Sequence, residues 1–398
     1  MTDIIQSSTT NPAFLFENKA IIGIPSLAFN YGNNAFAYRD LIRQDQDGQS
    51  YLDVENIIGK LSRRNYLQTQ LNIDLFRIHF KMKDWYLSIS SSEKMNIKLG
   101  YSRDLVELAW YGNANKIGQT MDLAPELNMT YYRELSFGVG YKKESWQMGA
   151  RFKYLTGIAD LASSDESITL YTDEAHYAIT VETDFLLNSA GVNNFLKDPL
   201  QAAFSFSNSG FAMDLGGTYQ FNEKWSMAAS IVNLGFIRWK DDVTNYSSRG
   251  SFTFQGIELE SLFEEESFSF DELQDSLEAN FGLKENQDPY TSHLVPRLYV
   301  STAYSFRTTS QVSALFYGEI FDGFQPAMAL HYQEQVNAYF SIGASYSIKN
   351  KTYANFGLST VISYWKMQAF FVSDNFVSVF IPKRSKSVNF RAGINFRL

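Results

Sequence analysis

The last eleven residues of the sequence, 388–398, alternate strictly between apolar and polar side chains. Because successive side chains of a β-strand point to opposite faces, this alternation predicts a strand with one apolar and one polar face. Its length matches the roughly 9 to 11 tilted residues with which a β-strand crosses a bilayer core. A strand inside a membrane must be paired on both sides, and a closed barrel provides that pairing. The apolar face holds Val388, Phe390, Ala392, Ile394, Phe396 and Leu398.

The composition favours a membrane barrel over the alternative, a soluble β-sandwich. Aromatic residues make up 16% of the 398 residues, and transmembrane barrels concentrate aromatic side chains at both membrane interfaces. The mean hydropathy of -0.23 is too polar for a helical membrane protein. Cysteine is absent, which excludes disulfides, thiolate metal sites and cysteine nucleophiles. The net charge of -9 argues against nucleic acid as a partner.

Similar alternating segments recur along the chain and give about 14 to 17 strand candidates. Bacterial single-chain barrels are built from an even number of such strands. The sequence therefore predicts an all-β fold, a transmembrane antiparallel β-barrel of 14 strands, with 16 as the alternative. In the segment 68–81 the apolar positions change phase by one residue, which predicts a β-bulge. The segments 145–157 and 167–171 are predicted as separate strands.

The barrel is predicted to span residues 19–398, interrupted by long excursions on the extracellular side. Short helices are expected within 51–61 and 102–119. Residues 256–289 hold eleven acids and one base, so this segment accounts for the net charge of the whole chain. We interpret it as a solvated loop with part of an amphipathic helix; a docking or cation-binding surface is the alternative, although the spacing does not match a calcium loop. The predicted excursions are 36–66, 98–126, 188–208 and 240–293.

No constellation in the sequence points to catalysis, a metal or a cofactor. The four histidines show no helical or metal-ligand spacing, and phosphate-loop, hydrolase and metalloprotease motifs are absent from the sequence. Asp173, Glu174 and His176 are the residues closest to a hydrolytic group, but a solvated hairpin tip explains them more simply. We therefore expect no enzyme activity. The histidines are His79, His176, His293 and His331.

Five stretches in combination, 6–14, 22–26, 153–157, 214–219 and 230–239, resemble a Bacteroidota family of outer-membrane barrels of unknown function. More distantly, Asn11-Pro12-Ala13 is similar to the N-terminal hatch of the long-chain fatty-acid transporter (FadL-like) superfamily. That superfamily also includes the PorV-type subunit of the type IX secretion translocon. The resemblance implies a 14-stranded barrel with residues 1–18 folded into or across its lumen as a hatch.

The resemblance also implies a location in the Gram-negative outer membrane, among lipid and lipopolysaccharide. The alternating terminal strand looks like the signal that such barrels present to their assembly machinery, carried here by Phe390, Ile394, Phe396 and Leu398. Outer-membrane proteins carry a signal peptide, but the sequence opens Met1-Thr2-Asp3-Ile4, which is not one. We therefore expect a mature or truncated form.

The predicted strand 145–157 places Arg151 and Lys153 on its polar face, so the inner wall is expected to be basic there. These two residues are candidate lumen ligands for an anionic group such as a fatty-acid carboxylate. The alternative is that they pair with hatch acids such as Asp3.

Two functions stay open at this point. The first is FadL-like passive uptake of a hydrophobic or amphipathic small molecule. The second is a non-catalytic accessory subunit of a Bacteroidota envelope machine, such as the type IX translocon or the barrel-assembly complex, with the long loops as protein interfaces. A continuous apolar pocket beside the hatch would favour uptake, whereas a filled lumen with apolar loops would favour the accessory role.

Overall fold

In a computed structural model, the alternating segments form a closed barrel of 14 antiparallel strands. The structure describes residues 4–44, 49–203, 205–254, 282–320, 323–349, 352–376, 378 and 385–398. The strands are β1 (Ala20–Gly23), β2 (Ser26–Asn33), β3 (Ile42–Gln44), β4 (Ser50–Leu52), β5 (Arg64–Met82), β6 (Trp85–Ser102), β7 (Thr120–Asp122), β8 (Glu126–Lys143), β9 (Trp146–Thr172), β10 (Ile179–Ala190), β11 (Asn208–Gln220), β12 (Trp225–Trp239), β13 (Asn245–Phe254), β14 (Lys284–Asn286), β15 (Tyr290–His293), β16 (Arg297–Ser305), β17 (Ser310–Ile320), β18 (Phe324–Gln335), β19 (Phe340–Lys349), β20 (Thr352–Tyr364), β21 (Met367–Ser373) and β22 (Ser387–Arg397).

The wall runs from β1 and β2, which share one position, through β5, β6, β8, β9, β11, β12 and β16 to β22. The terminal strand β22 pairs with β21 on one side and with β1 and β2 on the other, so the ring closes. The all-β prediction is therefore confirmed, with 14 wall strands rather than 16. Because closure leaves no unpaired edge, the wall meets the main requirement of an apolar membrane interior.

Several strands extend beyond the wall at the rim with the long connections. The far half of β9 pairs with β10, β10 pairs with β13, and β13 pairs with β14. The two strands predicted at 145–157 and 167–171 are in fact one strand of 27 residues, so that prediction was wrong. The sequence pattern suggested a break because the part of β9 beyond the wall has no lipid-facing side and needs no apolar alternation.

The outer face of the wall is a broad band of exposed apolar side chains. On β9, Trp146, Met148 and Phe152 are each more than half exposed, whereas Arg151 and Lys153 on the opposite face are 3% and 2% exposed. The predicted orientation of this strand is thus confirmed. A soluble monomer rarely exposes a continuous apolar surface of this kind, so lipid is the solvent that matches it.

Aromatic side chains form cross-strand pairs at the rim with the short turns. The ring centroids of Trp85 and Tyr141 are 4.8 Å apart, those of Trp146 and Tyr219 are 4.4 Å apart, and those of Trp225 and Tyr304 are 4.7 Å apart. Each pair lies next to a tight turn between neighbouring strands. Such a ring of aromatic side chains is typical of the membrane interface of a barrel.

The bulge predicted within 68–81 lies in β5, where the pairing with β6 shifts between Asp74 and Phe76. The extra residue, Leu75, turns the apolar set to the outer face on both sides of the shift. The same shift leaves Asp74 buried in the lumen at 5% exposure. The phase change in the sequence thus marks the place where Asp74 turns into the lumen.

The helices lie in the connections, including the two that the sequence predicted. Asp53 caps α2 by accepting a 3.0 Å hydrogen bond from the Asn56 N–H, and Ser102 caps α3 by accepting one of 3.0 Å from the Leu105 N–H. No helix in the described part of the chain is long and apolar enough to cross a membrane. The helices are α1 (Tyr38–Leu41), α2 (Val54–Lys60), α3 (Arg103–Tyr111), α4 (Val192–Lys197) and α5 (Pro199–Ala203), with 3-10 turns at Ile5–Thr9 and Ala114–Lys116.

The connections between the wall strands have other bounds than the sequence predicted. β5 already begins at Arg64 and β6 continues to Ser102, so the connections predicted at 36–66 and 98–126 are shorter than expected. The excursion 240–293 contains β13, β14 and β15, which the sequence did not predict because their side chains do not alternate like a lipid-facing strand. The helix predicted in the acidic segment lies at residues 273–281, outside the described residues.

We expect a charge on the outer face to destabilise the barrel. Leu330 is 57% exposed near the middle of β18, whereas its neighbour Ala329 faces the lumen. Leu330→Arg should lower the free energy of unfolding in lipid vesicles by about 2–4 kcal/mol, because the guanidinium would enter hydrocarbon. Ala329→Arg is the matched control and should lower the free energy of unfolding clearly less. Equal losses in a denaturant titration would contradict a lipid-facing surface at Leu330.

Candidate functional site

The N-terminal segment, residues 4–18, lies inside the barrel and is called the hatch below. Its 3-10 turn Ile5–Thr9 is stabilised by its own hydroxyl groups: Ser8 donates to the Ile5 carbonyl at 2.7 Å and Thr9 donates to the Gln6 carbonyl at 2.7 Å. Such local bonds let a run of Ser and Thr satisfy its backbone without a long helix. Gln6 bonds Asn395 on β22 in both directions, at 2.8 and 3.1 Å.

The predicted hatch residues Asn11, Pro12 and Ala13 are all buried against the inner wall. The Asn11 carboxamide donates to the carbonyl oxygens of Gly217 and Ala229, both at 3.3 Å. Its own oxygen accepts from the Ala13 N–H at 2.8 Å, which fixes a turn of the hatch. A single asparagine thus holds the hatch to two neighbouring strands.

Three wall glycines make room for this turn. Gly140 pairs with Gly149 across β8 and β9, and Gly149 pairs with Gly216 across β9 and β11, so they form a continuous glycine row. A Cβ atom at Gly149 would lie 2.3 Å from the Pro12 carbonyl oxygen, and one at Gly216 would lie 2.0 Å from the Asn11 side-chain oxygen. The glycine row is therefore the surface on which the hatch rests.

Next to the glycine row, five charged side chains form a buried network. Asp214 accepts from Arg151 at 3.1 Å and from Lys153 at 2.8 Å, while Glu134 lies 3.4 Å from Lys153 and 2.9 Å from Lys94. Arg151 also donates to the carbonyl of Ser8 in the hatch. Buried charges need such pairing, because an unpaired charge in an apolar wall is strongly unfavourable.

A bulge in β12 completes this network. The pairing of β11 with β12 shifts next to Met213, and Asn233 adopts a left-handed φ of 64°. The Asn233 N–H donates to Asp214 at 2.8 Å, and its side-chain oxygen accepts from Lys153 at 2.8 Å. Asparagine tolerates this backbone conformation better than most residues, which explains its use at this position.

A second charged cluster joins β22 and β5 across the strand position that β1 and β2 share. Asp74 accepts from Arg77 and Arg391, each at 3.2 Å, and from the hydroxyl groups of Ser92 at 2.8 Å and Ser26 at 3.0 Å. Arg391 also donates to the Thr9 hydroxyl of the hatch at 3.2 Å. This cluster therefore connects the closing strand, the bulge of β5 and the hatch.

At the short-turn rim, Glu17 attaches the end of the hatch to the wall. Its carboxylate accepts from Lys142 at 2.6 Å and from Lys81. The hydrogen bonds from these two lysines lower the pKa of Glu17 from 4.5 to about 2, Lys142 having the larger effect. The contact is solvent-exposed, so it orients the hatch more than it stabilises the fold.

Cavities lie on both sides of the hatch. Toward the short turns, a cavity of about 690 Å³ is lined partly by apolar groups, among them Phe14, Leu15 and Leu358. Toward the long connections, cavities of about 300 and 980 Å³ are lined mainly by polar groups such as Gln68, Gln70 and Asn72. Thr10 of the hatch borders all three cavities, so the hatch lies between the two sides.

The predicted lumen residues Arg151 and Lys153 do face the lumen, but their charges are paired with Asp214 and Glu134. Their role in binding an anionic ligand stays a prediction. The alternative partner Asp3 lies outside the described residues. Sequence reasoning missed the pairing of Glu134 and Asp214 with these bases; an acid on the polar face of β8 and of β11 was the available signal.

The other predicted residues lie away from the hatch. Phe390 is on the outer face, with its ring centroid 5.9 Å from that of Phe29. A role of Phe390 and its outward neighbours Ile394, Phe396 and Leu398 in assembly stays a prediction. His176 contacts Asp173 at 3.3 Å on an exposed hairpin tip. In the described part of the chain, no three His, Asp or Glu side chains come together as a metal ion would require.

The sequence matches a known protein family. A family model described as "Family of unknown function (DUF5723)" matches residues 12–374, which confirms the resemblance to a family of unknown function. No curated protein sequence matches the chain.

Three solved structures align with the chain over most of its length. The toluene transporter TbuX of Ralstonia pickettii has a TM-score of 0.45 and 10% identity, covering 100% of this chain and 94% of that chain. A FadL homologue of Pseudomonas aeruginosa has a TM-score of 0.48 and 7% identity, covering 99% and 94%. The toluene transporter TodX of Pseudomonas putida has a TM-score of 0.40 and 9% identity, covering 98% and 91%.

We expect a methyl group on the glycine row to displace the hatch. Gly149→Ala would place its Cβ against the backbone of Pro12, whereas Gly217→Ala, the matched control on the outer face, finds its nearest atom at 3.7 Å. Hydrogen exchange of the hatch should become at least about tenfold faster in Gly149→Ala, a loss of about 1.4 kcal/mol in local stability. Equal exchange in the two variants would contradict the contact.

The attachment of the hatch to the wall through Glu17 should weaken at acid pH. Because the pKa of Glu17 is lowered in the folded chain, its contribution is complete above about pH 4.5 and is lost as the pH falls toward 2. The chain has no cysteine, so a spin label on Asn18→Cys is unique. Its mobility should rise on acidification. With Glu17→Gln added, the label should be mobile at neutral pH and unresponsive; an unchanged acid response would assign the effect to another group.

Proposed function

This chain belongs to the family of unknown function DUF5723, and from its own geometry we propose an outer-membrane barrel that lets a hydrophobic or amphipathic small molecule pass when the hatch moves. The observation that carries the proposal is the position of the hatch between cavities on both sides of the lumen. Thr10 of the hatch and the wall residues Tyr299, Val372, Asp374 and Arg391 border both cavities. A modest displacement of the hatch would therefore join them.

The lining of the cavities supports an amphipathic solute. The cavity toward the short turns offers the apolar side chains Phe14, Leu15 and Leu315, while the cavities toward the long connections offer amides. Volumes of about 300 to 980 Å³ are the size of typical small-molecule sites. A molecule with one apolar and one polar end would find a matching environment on each side of the hatch.

The outer surface supports the location in an outer membrane. The exposed apolar band would contact lipid and lipopolysaccharide, and the aromatic pairs would lie at the interface. Insertion would require the barrel-assembly machinery, to which β22 would present its outward face. Passage through such a lumen requires no catalytic group.

One observation favours the second candidate, an accessory subunit of an envelope machine such as the type IX translocon or the barrel-assembly complex. Several large apolar side chains on the long connections are exposed, and such residues are common at protein interfaces. They are Leu52 at 57%, Trp110 at 52%, Tyr177 at 64%, Leu196 at 74% and Phe206 at 65%. They are spread over separate excursions, so we rank this candidate below transport.

Transport can be tested with an amphipathic, coloured probe. Liposomes that contain the purified full chain and entrapped β-glucosidase should hydrolyse external p-nitrophenyl β-glucoside faster than liposomes without the barrel. Gly149→Ala should increase the rate at least several-fold further, because its hatch is displaced, while Gly217→Ala should match the wild type. The readout is the absorbance of released p-nitrophenol.

Two results would contradict transport. One is that neither the wild type nor Gly149→Ala admits the probe although both are folded. The other is that mild-detergent purification from the native outer membrane yields a stoichiometric protein partner together with an impermeable barrel. The second result would establish the accessory role.

A further inference from the structure

All three lumen cavities meet at the same side chains. Thr10 of the hatch, Tyr299 of β16 and Arg391 of β22 border each of them. The three cavities therefore meet at these residues, and this junction is called the constriction below. Arg297, two residues before Tyr299 on the same face of β16, borders the two cavities on the side of the long connections.

The charges around this constriction do not balance. The two networks that touch the hatch contain the bases Arg77 and Arg391 with Asp74, and three further bases with Asp214 and Glu134. Five bases thus face three acids, an excess of two positive charges. A buried excess of charge is unfavourable in an apolar wall unless a counter-charge binds it.

Arg391 has a donor available for such a counter-charge. Its Nη2 donates to Asp74 and its Nη1 donates to Thr9, both at 3.2 Å, but among the described residues its buried Nε–H meets no hydrogen-bond acceptor. The Nε–H of Arg297 likewise lacks an acceptor there, since its nearest carboxylate oxygen, on Glu319, is 3.6 Å away. An unsatisfied buried donor is costly, and an oxyanion is the acceptor that a guanidinium binds best.

The lining of the cavity of about 980 Å³, called the widest cavity below, is positively charged and therefore suits an anion. Its lining carries five basic side chains and the single acid Asp374. The bases are Arg64, Arg297, Lys349, Lys386 and Arg391. Part of this charge is met by neighbouring acids, for example Asp122 at 3.5 Å from Arg64. The surrounding field still favours an anion approaching from the side of the long connections.

Two tyrosines supply an apolar surface beside Arg391. The ring centroids of Tyr299 and Tyr317 are 5.1 Å apart, and both residues line the widest cavity. A flat ring attached to the anion could pack on this pair. The arrangement therefore suits an anion that carries an aromatic or similarly flat apolar body.

We infer that Arg391, with Tyr299 and Arg297 beside it, binds the oxyanion of a small amphipathic solute, a carboxylate or a phosphate ester, at the constriction above the hatch. This inference rests on the proposed transport and names the polar end of the molecule transported. The oxyanion accepts from the Nε–H of Arg391 without breaking the bonds to Asp74 and Thr9.

Calorimetric titration of the detergent-solubilised full chain tests this binding. The probes are benzoate and phenyl phosphate, with benzamide as the neutral analogue of benzoate and phenol as phenyl phosphate without its phosphate group. At least one anion should bind, and its neutral analogue should bind at least about tenfold more weakly, because a charge-assisted hydrogen bond is lost. Whichever anion binds more tightly identifies the head group.

Variants separate binding from the structural role of Arg391. Arg391→Gln should weaken the bound anion at least about tenfold. Thr9→Val removes the hatch contact of Arg391 but keeps the guanidinium, so it should bind the anion within about twofold of the wild type. If Thr9→Val loses binding as Arg391→Gln does, Arg391 acts only through the hatch and the inference is overturned.

The outcomes also distinguish this inference from the proposed transport. Binding of neither anion, or equal binding of an anion and its neutral analogue, overturns the oxyanion site but leaves the p-nitrophenyl glucoside assay unaffected. A barrel that binds benzoate yet admits no probe, even as Gly149→Ala, keeps the site and overturns transport.

Discussion

The structure depends on one constraint: inside a bilayer, a strand edge cannot be left without hydrogen-bond partners. Strand β22 meets this constraint by pairing with β21 on one side and with β1 and β2 on the other. Closure in turn creates an enclosed lumen, and a lumen in an outer membrane must be filled or regulated. The segment directly before β1 fills it, because its entry point lies on the rim where the ring closes.

Inside this ring, charge replaces the apolar core of a soluble protein. The large apolar side chains of the wall point to lipid, so the inner face has few of them to pack on the hatch. Asp74 and Asp214 instead hold Arg391 and Arg151, which contact it. Polar attachment of this kind holds the hatch in one position, yet it exchanges partners with water or a solute more readily than a packed apolar contact would.

The fold could be predicted from the sequence because the alternation of side chains states directly which face of each strand meets lipid. The phase change in β5 even located the bulge beside Asp74. The site could not be predicted to the same depth: Arg151 and Lys153 were assigned to the lumen, but their partners Glu134 and Asp214 lie on β8 and β11. Pairing across strands depends on register, and register is set by turns and bulges that one sequence does not specify. Strands beyond the wall, such as β13, lack a lipid-facing side and therefore lack the signal.

The contacts of the hatch with β22 also have a consequence for the order of assembly. Gln6 and Thr9 bond to Asn395 and Arg391, which reach their places only when the last wall strand joins the first. A half-formed ring therefore offers the hatch only part of its binding surface. Seating of the hatch and completion of the wall therefore become one event, so an incomplete barrel has no firmly held hatch.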